Sequence, residues 1–311
     1  MKTKLFGWES PPASIVDSYI QIVESFVQSE ELMRDFKRNP HYVTILSGPD
    51  RVIGEISLKN IYSNILFTEW FLENIREFKE NDLYGHPVLH DFDRIGQFAS
   101  DTIKYIWNAC EIKQLFDPTI RANQATDIRG ISLDVYKLPP PHPDETVKNN
   151  GIKKIVEIGG GYGALCKILS HIIEFEEYIL IDLPPVVKLC EKYLNNFPDL
   201  KNKVSFIGCD EVQKLEQINN IDLFIADSSL AECDKEVQSF YIDKILKKSK
   251  FCWVIYNTLH LAQGRENYSL FLDSVMEQYD VFQKELQETV YMISMFNKNM
   301  RERAINETEN L

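Results

Sequence analysis

Apolar and polar positions divide this chain into two unlike parts. Over residues 12–38, Ile15, Tyr19, Ile20, Val23, Phe26 and Val27 recur at helical spacing with Glu and Gln between them. That periodicity predicts an amphipathic helix. Leu58, Ile61, Ile65, Leu66, Phe71, Leu72, Ile75 and Phe78 predict a second helix over 58–79. Phe98, Ile103, Ile106, Trp107 and Leu115 predict a third over 97–116. Between the first two, residues 40–56 are β-branched and broken by Gly48-Pro49, which predicts a small hairpin or a loop. The first 118 residues therefore read as a mainly helical region.

From residue 151 the pattern alternates. Short apolar runs at Ile155–Ile158, Tyr178–Ile181, Val204–Ile207, Leu223–Ala226 and Phe251–Tyr256 predict strands. Helical stripes separate them, including one that Pro184-Pro185 can open, because a first-turn residue needs no amide donor. Further helices are expected at 234–248 and 265–279, then two strand-like runs, Val281–Leu286 and Val290–Phe296, close enough for a terminal hairpin. Repeated β-α units imply a mostly parallel sheet covered on both faces. The expected class is α/β, with a helical N-terminal region over 1–118 and a sheet domain over 151–311. Residues 119–150 fit neither part. They carry four prolines between 139 and 143, which excludes a helix interior and reads as a linker or a lid.

Composition narrows the function. The 34 Lys+Arg against 47 Asp+Glu give a formal net charge of −13, which lacks the basic footprint of a nucleic-acid binder. The six cysteines form no CxxC pair and no Cys/His zinc spacing, so they read as reduced core residues of a cytoplasmic protein, and no metal site is expected. No run approaches the ~20 apolar residues of a membrane span, and the N-terminus has no signal-peptide core.

The chemistry concentrates in IVEIGGGYGALCKIL, residues 155–169. Glycines at a strand-to-helix turn permit the tight turn and let a ligand approach bare backbone. Gly159-x-Gly161-x-x-Ala164 also satisfies the dinucleotide fingerprint, so the glycines alone leave a nicotinamide-dependent oxidoreductase open. Glu157 changes the picture. A carboxylate two residues before the first glycine repels a pyrophosphate and attracts a cation, and S-adenosylmethionine carries a sulfonium and an ammonium but no phosphate. Asp182 ends the second strand, where an acid accepts ribose hydroxyls, and Asp210 follows the third, where an adenine edge would lie. Glu157, Gly159, Gly161, Gly163, Asp182 and Asp210 together resemble the class I methyltransferase pattern.

NDLYGHP at 81–87, IVEIGGGYG at 155–163, CKIL at 166–169, YILIDLPPVVKLCEKYL at 178–194 and ADSSLAE at 226–232 further resemble the sugar O-methyltransferase family of bacterial glycan clusters. The resemblance covers roughly residues 80–260. It implies a class I methyltransferase sheet with its last strand antiparallel, S-adenosylmethionine as cofactor, and a sugar, nucleotide-sugar or glycan hydroxyl as acceptor. It also implies cofactor contacts from Tyr162, Leu183, Glu211, Asp227 and Ser228 besides the residues above. The chain departs from the family where Asp227 replaces an asparagine and Ala231 a serine. A DLP-x-V run is shared with phenolic small-molecule O-methyltransferases, whose later catalytic histidine motif is missing here; that acceptor class stays open. A third reading is a scaffold that keeps the fold without catalysis.

A hydroxyl needs a base to take its proton. Glu232, which matches the family's glutamate, and His260, after the fifth strand, are the candidates, with Asp227 beside them. NDLYGHPVLHDFDR, 81–94, crowds Tyr84, His86, His90 and Arg94 into one segment and is expected to line the acceptor pocket. The apolar N-terminal helices suit a homodimer.

Overall fold

The structure, a computed structural model, describes residues 13–45, 50–115, 152–258, 264–287 and 290–299. The 119–150 segment and His260 lie outside the described residues.

The helical region starts with α1 (Ala13–Gln28) and α2 (Glu30–Arg34). The expected single helix over 12–38 is divided there because Ser29 takes extended φ/ψ and its hydroxyl accepts from Leu32 N, as an N-cap does. The described residues of 40–56 are helical and not a hairpin: α3 (Pro40–Ile45) begins on a proline, and α4 (Arg51–Tyr62) is capped by Asp50, whose carboxylate accepts from Val52 N at 2.9 Å. The 58–79 stripe is likewise split into the end of α4, then α5 (Ile65–Glu73), capped by Asn64, and α6 (Ile75–Lys79). A hairpin of β1 (Leu89–Phe92) and β2 (Gly96–Ala99) occupies the segment expected to line the acceptor pocket, and α7 (Ser100–Gln114) follows.

The strands of the second part fall where their apolar runs predict. They are β3 (Lys154–Ile158), β4 (Glu177–Asp182), β5 (Val204–Gly208), β6 (Ile221–Asp227), β7 (Ser249–Asn257), β8 (Tyr279–Gln287) and β9 (Val290–Asn297). They form one sheet in the order β5-β4-β3-β6-β7-β9-β8. Neighbours from β5 to β7 are parallel, and β9 enters antiparallel between β7 and β8. Strand order reverses between β3 and β6, so a crevice opens there at the carboxyl ends of the strands. The helices between strands are α8 (Ala164–Leu169), α9 (Pro184–Leu194), α10 (Val212–Gln217), α11 (Ser229–Glu232), α12 (Lys235–Lys244) and α13 (Gly264–Met276).

Side chains alternate across the sheet, and each face has its own apolar cluster. Val156, Phe224 and Val254 pack with Ile242, Leu246, Phe271 and Val275 on the α12–α13 face. Ile155, Leu180 and Leu223 pack on the other face with Leu165, Ile168, Leu189 and Tyr193. The same cluster continues into Val23, Phe26, Phe36, Ile103 and Ile106. The helical region and the sheet therefore share one core, and that core sets α7 and α1 beside the crevice. Among the described residues no helix is long and apolar enough to cross a membrane.

Candidate functional site

The crevice is built on the turn from β3 to α8. Gly159, Gly161 and Gly163 have φ of +75°, +58° and +92°, a region that costs residues with a Cβ. At Gly159 an added Cβ would lie 2.2 Å from the Cβ of Ser229. Ser229 is held against the loop by its hydroxyl, which donates to Ile158 O at 2.5 Å. The loop also reaches sideways: Gly161 N donates to Asp182 Oδ2 at 3.2 Å, and Cys190 Sγ lies 3.0 Å from Gly161 O.

Acidic side chains converge on this loop from adjacent strands. Glu157 is 2% exposed and accepts from the Tyr178 hydroxyl at 2.8 Å. Burial, then the charges of Asp227 and Asp182, outweigh that bond and push its carboxyl up to about 8. Asp182, at the end of β4, takes the amides of Leu183 (2.7 Å) and Gly161; burial nonetheless pushes it up to about 7. Asp227, at the end of β6, accepts from Asn108 Nδ2 at 3.0 Å, pairs with Lys104 Nζ at 3.2 Å, and meets the Ser228 hydroxyl at 3.3 Å. Glu232 closes α11 and is pushed up to about 7 by burial and by Asp227 and Asp182, against Lys104. It does not cap the next helix; Asp234 does, accepting from Val237 N at 2.9 Å. Glu232 accepts no hydrogen bond and forms no ion pair among the described residues. Asp210 is exposed just past β5, and the neighbouring Glu211 accepts from Gly208 N at 3.0 Å and pairs with Lys214.

Tyr162 is a cofactor candidate whose side chain faces elsewhere. Its ring is 1% exposed and turns into the helical region, where the hydroxyl donates to Asp101 Oδ2 at 2.8 Å. Asn81 Nδ2 approaches the same hydroxyl at 3.3 Å and donates to Thr102 Oγ1 at 2.7 Å, while Asn81 Oδ1 accepts from Tyr193 at 2.7 Å. Lys37, 6% exposed, donates to Asn81 O at 2.6 Å and lies over the rings of Tyr162 (4.4 Å) and Tyr193 (4.7 Å). Burial lowers this lysine to about 8, although Asp101 and Asp82 oppose the shift. The motif NDLYGHP thus supplies Asn81 as a brace for the glycine loop.

The other residues of that segment are not brought to the loop. Tyr84 packs edge-on against Phe197, beyond the far end of α9. At 1.5 Å per residue, α9 sets that contact roughly 15 Å from Asp182. His86 meets Asp35 at 2.5 Å on an exposed surface. His90 packs on Phe92. Arg94 lines a separate open groove of about 630 Å³ with Arg51, Lys59 and Tyr62. These four side chains lie on a hairpin and on exposed surface away from the glycine loop, while α7 and α1 pack beside the crevice. Asp101, Lys104, Tyr105 and Asn108 share one face of α7. Burial and then Asp227 raise the Tyr105 phenol well above its ordinary value, and burial and then Asp182 do the same to Tyr19. None of these wall residues stood out in the sequence, although the polar positions of α7 recur at helical spacing.

The donor set fits S-adenosylmethionine. Carboxyl groups raised by burial, and in Glu157 and Glu232 also by acidic neighbours, call for a cation, and the bare loop admits a ligand against backbone. Among the described residues no cluster of His, Cys, Asp or Glu is placed to hold a metal ion.

The family model described as O-methyltransferase domain matches residues 144–311. Similar solved structures include the methyltransferase domain of bacterial CtHen1, at 14% identity and a TM-score of 0.38, over 46% of this chain and 90% of that one. An O-methyltransferase family protein from Burkholderia thailandensis aligns at 12% identity and 0.39, over 74% of this chain and 70% of that one. The mitomycin 7-O-methyltransferase MmcR aligns at 13% and 0.38, over 64% of this chain and 57% of that one. No curated protein sequence matches this one.

Proposed function

The chain belongs to the O-methyltransferase domain family and is an S-adenosylmethionine-dependent methyltransferase, and from that premise we propose that it methylates a hydroxyl of a sugar or glycan, with Glu232 as the base. When bound, the cofactor supplies an electrophilic methyl group. Glu157, Asp182 and the amides of the glycine loop hold it at the carboxyl ends of β3 and β4. Asp227, beside the loop on β6, separates this half of the crevice from the half walled by α7. An acceptor hydroxyl lies there against Glu232. On methyl transfer to the acceptor oxygen, the Glu232 carboxylate would take the hydroxyl proton that the new C–O bond displaces. Positioning the groups in line supplies much of the rate; the carboxylate adds general-base catalysis.

The observation that carries this reading is the division of labour among the acids. Glu157, Asp182 and Asp227 each have hydrogen-bond partners, whereas Glu232 has none among the described residues. A base must have a free lone pair, and its position near pH 7 suits proton transfer. Carboxylates and an ammonium around the acceptor side favour a polyhydroxylated molecule. Tyr19 and Tyr105 beside the same acids favour a second reading, a phenol, which would lie flat against them.

Calorimetric titration with S-adenosylhomocysteine, with NAD alongside, tests the cofactor site: micromolar binding of the first alone is expected. Transfer of radiolabelled methyl to nucleotide sugars and to catechol-type phenols then separates the acceptor classes. Glu232→Gln is expected to abolish turnover at near-normal S-adenosylhomocysteine affinity. Retained turnover means that another group is the base.

A further inference from the structure

Building on the reading of Glu232 as the base, we propose that Lys104 is a positioning residue for methyl transfer, reaching from the helical region to fix Asp227 and to keep Glu232 charged. Lys104 lies one helical turn from Asp101 and Asn108 on the face of α7 that borders the crevice. Asp101 holds the glycine loop through Tyr162, while Lys104 and Asn108 both bind Asp227 Oδ2, at 3.2 and 3.0 Å. Two donors on one oxygen fix the carboxylate's rotation. They commit Asp227 as a wall of the crevice and remove it as a competing base.

Asn108 is a neutral donor to the same oxygen, so the charge on Lys104 requires its own reason. Glu157, Asp182, Asp227 and Glu232 gather around one crevice, and carboxylates this close cannot all ionise without an opposing charge. Among the described residues Lys104 is the basic side chain ion-paired within that group. Its side chain is 25% exposed against 10% for Asp227, so the ammonium sits at the mouth, where an acceptor enters. The charges that act on Glu232 are those of Asp227 on β6, Asp182 on β4 and Lys104 on α7; Glu232 in turn acts on Tyr19 of α1, and Cys233 and Asp234 are next to it in the chain. Among the described residues that act on Glu232, Lys104 supplies the favourable charge. Without it, Glu232, which accepts no hydrogen bond among the described residues, would hold its proton more tightly.

The test uses the full chain labelled with carboxyl-¹³C glutamate, with the Glu232 resonance assigned by its loss in Glu232→Gln. It is titrated from about pH 5 to 9, the range that brackets a perturbed carboxylate. Lys104→Met is expected to move the Glu232 midpoint upward by about one pH unit, so that roughly tenfold less is ionised on the acid side. Lys104→Arg should restore the midpoint. Asn108→Ala, which keeps the cation and removes only the orienting bond, should leave it in place. An unchanged midpoint in Lys104→Met overturns the proposal, as does an equal shift in Asn108→Ala, which would signal loosened packing. If Lys104→Met does not fold, Lys104→Gln provides the same comparison. Failure of Glu232 as the base is distinguishable, because it appears as retained turnover in Glu232→Gln and leaves the titration untouched.

Discussion

The Tyr162 hydroxyl donates to Asp101 Oδ2 at 2.8 Å, joining the middle of the glycine loop to a helix that precedes it by some sixty residues. A loop with positive φ at Gly159, Gly161 and Gly163 has little regular hydrogen bonding of its own. Its shape is therefore set partly by what its one large side chain grips. Tyr162→Phe keeps the ring in its aromatic setting and removes only the hydroxyl, leaving Asp101 with an unpaired oxygen. A lost bond to a charged partner costs about 1.5–3 kcal/mol. A lowered unfolding temperature and several-fold weaker S-adenosylhomocysteine binding are expected together. Affinity that survives unchanged while stability falls would mean that the loop holds its shape without this anchor.

Gly159 and Gly160 should respond differently to alanine. At Gly159 the new Cβ meets Ser229 Cβ at 2.2 Å and the backbone is already at φ +75°. Ser229 cannot withdraw without leaving Ile158 O. At Gly160 the nearest atom is Leu180 Cδ2 at 2.2 Å, the far end of a flexible side chain, and no positive φ is involved. Gly159→Ala is expected to abolish cofactor binding, and Gly160→Ala to weaken it by less than tenfold, both measured by calorimetry. Equal effects would show that steric room, not backbone conformation, governs the loop.

The raised carboxyls make a prediction about pH. Glu157 at about 8, and Asp182 and Glu232 at about 7, hold their protons more tightly when folded than when unfolded. Their contribution to stability is complete below the ordinary carboxylate range and is lost as pH rises through these values. Thermal stability of the cofactor-free protein should accordingly fall between about pH 5 and 7.5. A cationic ligand reverses the sign by favouring the ionised acids. The stabilisation given by S-adenosylmethionine should thus grow with pH across the same window, and more steeply than that given by S-adenosylhomocysteine, which lacks the sulfonium. Equal slopes for the two ligands would show that the acids do not sense the sulfonium charge.

The inner strands β3, β4, β6 and β7 were legible because they are largely buried and read as short apolar runs. Glu157 and the glycines announced their ligand through charge and bare backbone. The helical region was harder. Ser29 and Asn64 stop helices by capping, yet the apolar stripe runs on past them, so periodicity alone joins what the caps divide. Residues 40–45 are β-branched and still helical, because Pro40 opens the turn and burial of Tyr42 rewards it. The placement of the 81–94 segment was hidden for another reason. Tyr84, His86, His90 and Arg94 have the right chemistry, but composition does not say which end of α9 a segment packs against. Lys104 and Asn108 were hidden because they meet Asp227 across more than a hundred residues of sequence.

Lys37 offers a test of how the helical region is fastened to the sheet. Its ammonium has one carbonyl at 2.6 Å and two aromatic faces within 5 Å, yet it is lowered to about 8. Burial therefore costs the charged form more than these contacts return. In the unfolded chain the same lysine holds its proton to about 10.4. Between these values the unfolded state binds more protons, so this group makes stability rise with pH. Lys37→Met keeps the apolar stem between the rings and removes the titration, while Asn81 O retains the Tyr193 hydroxyl at 2.9 Å. Subtracting the variant's stability from the native protein's cancels every other group. That difference, taken from denaturant midpoints at pH 7.5 and 9.5, should move in favour of the native protein at the higher pH. A difference that stays flat would mean that Lys37 is no more reluctant to carry its charge in the fold than in water, and that its cage of Tyr162, Tyr193 and Asn81 fully replaces the lost solvent.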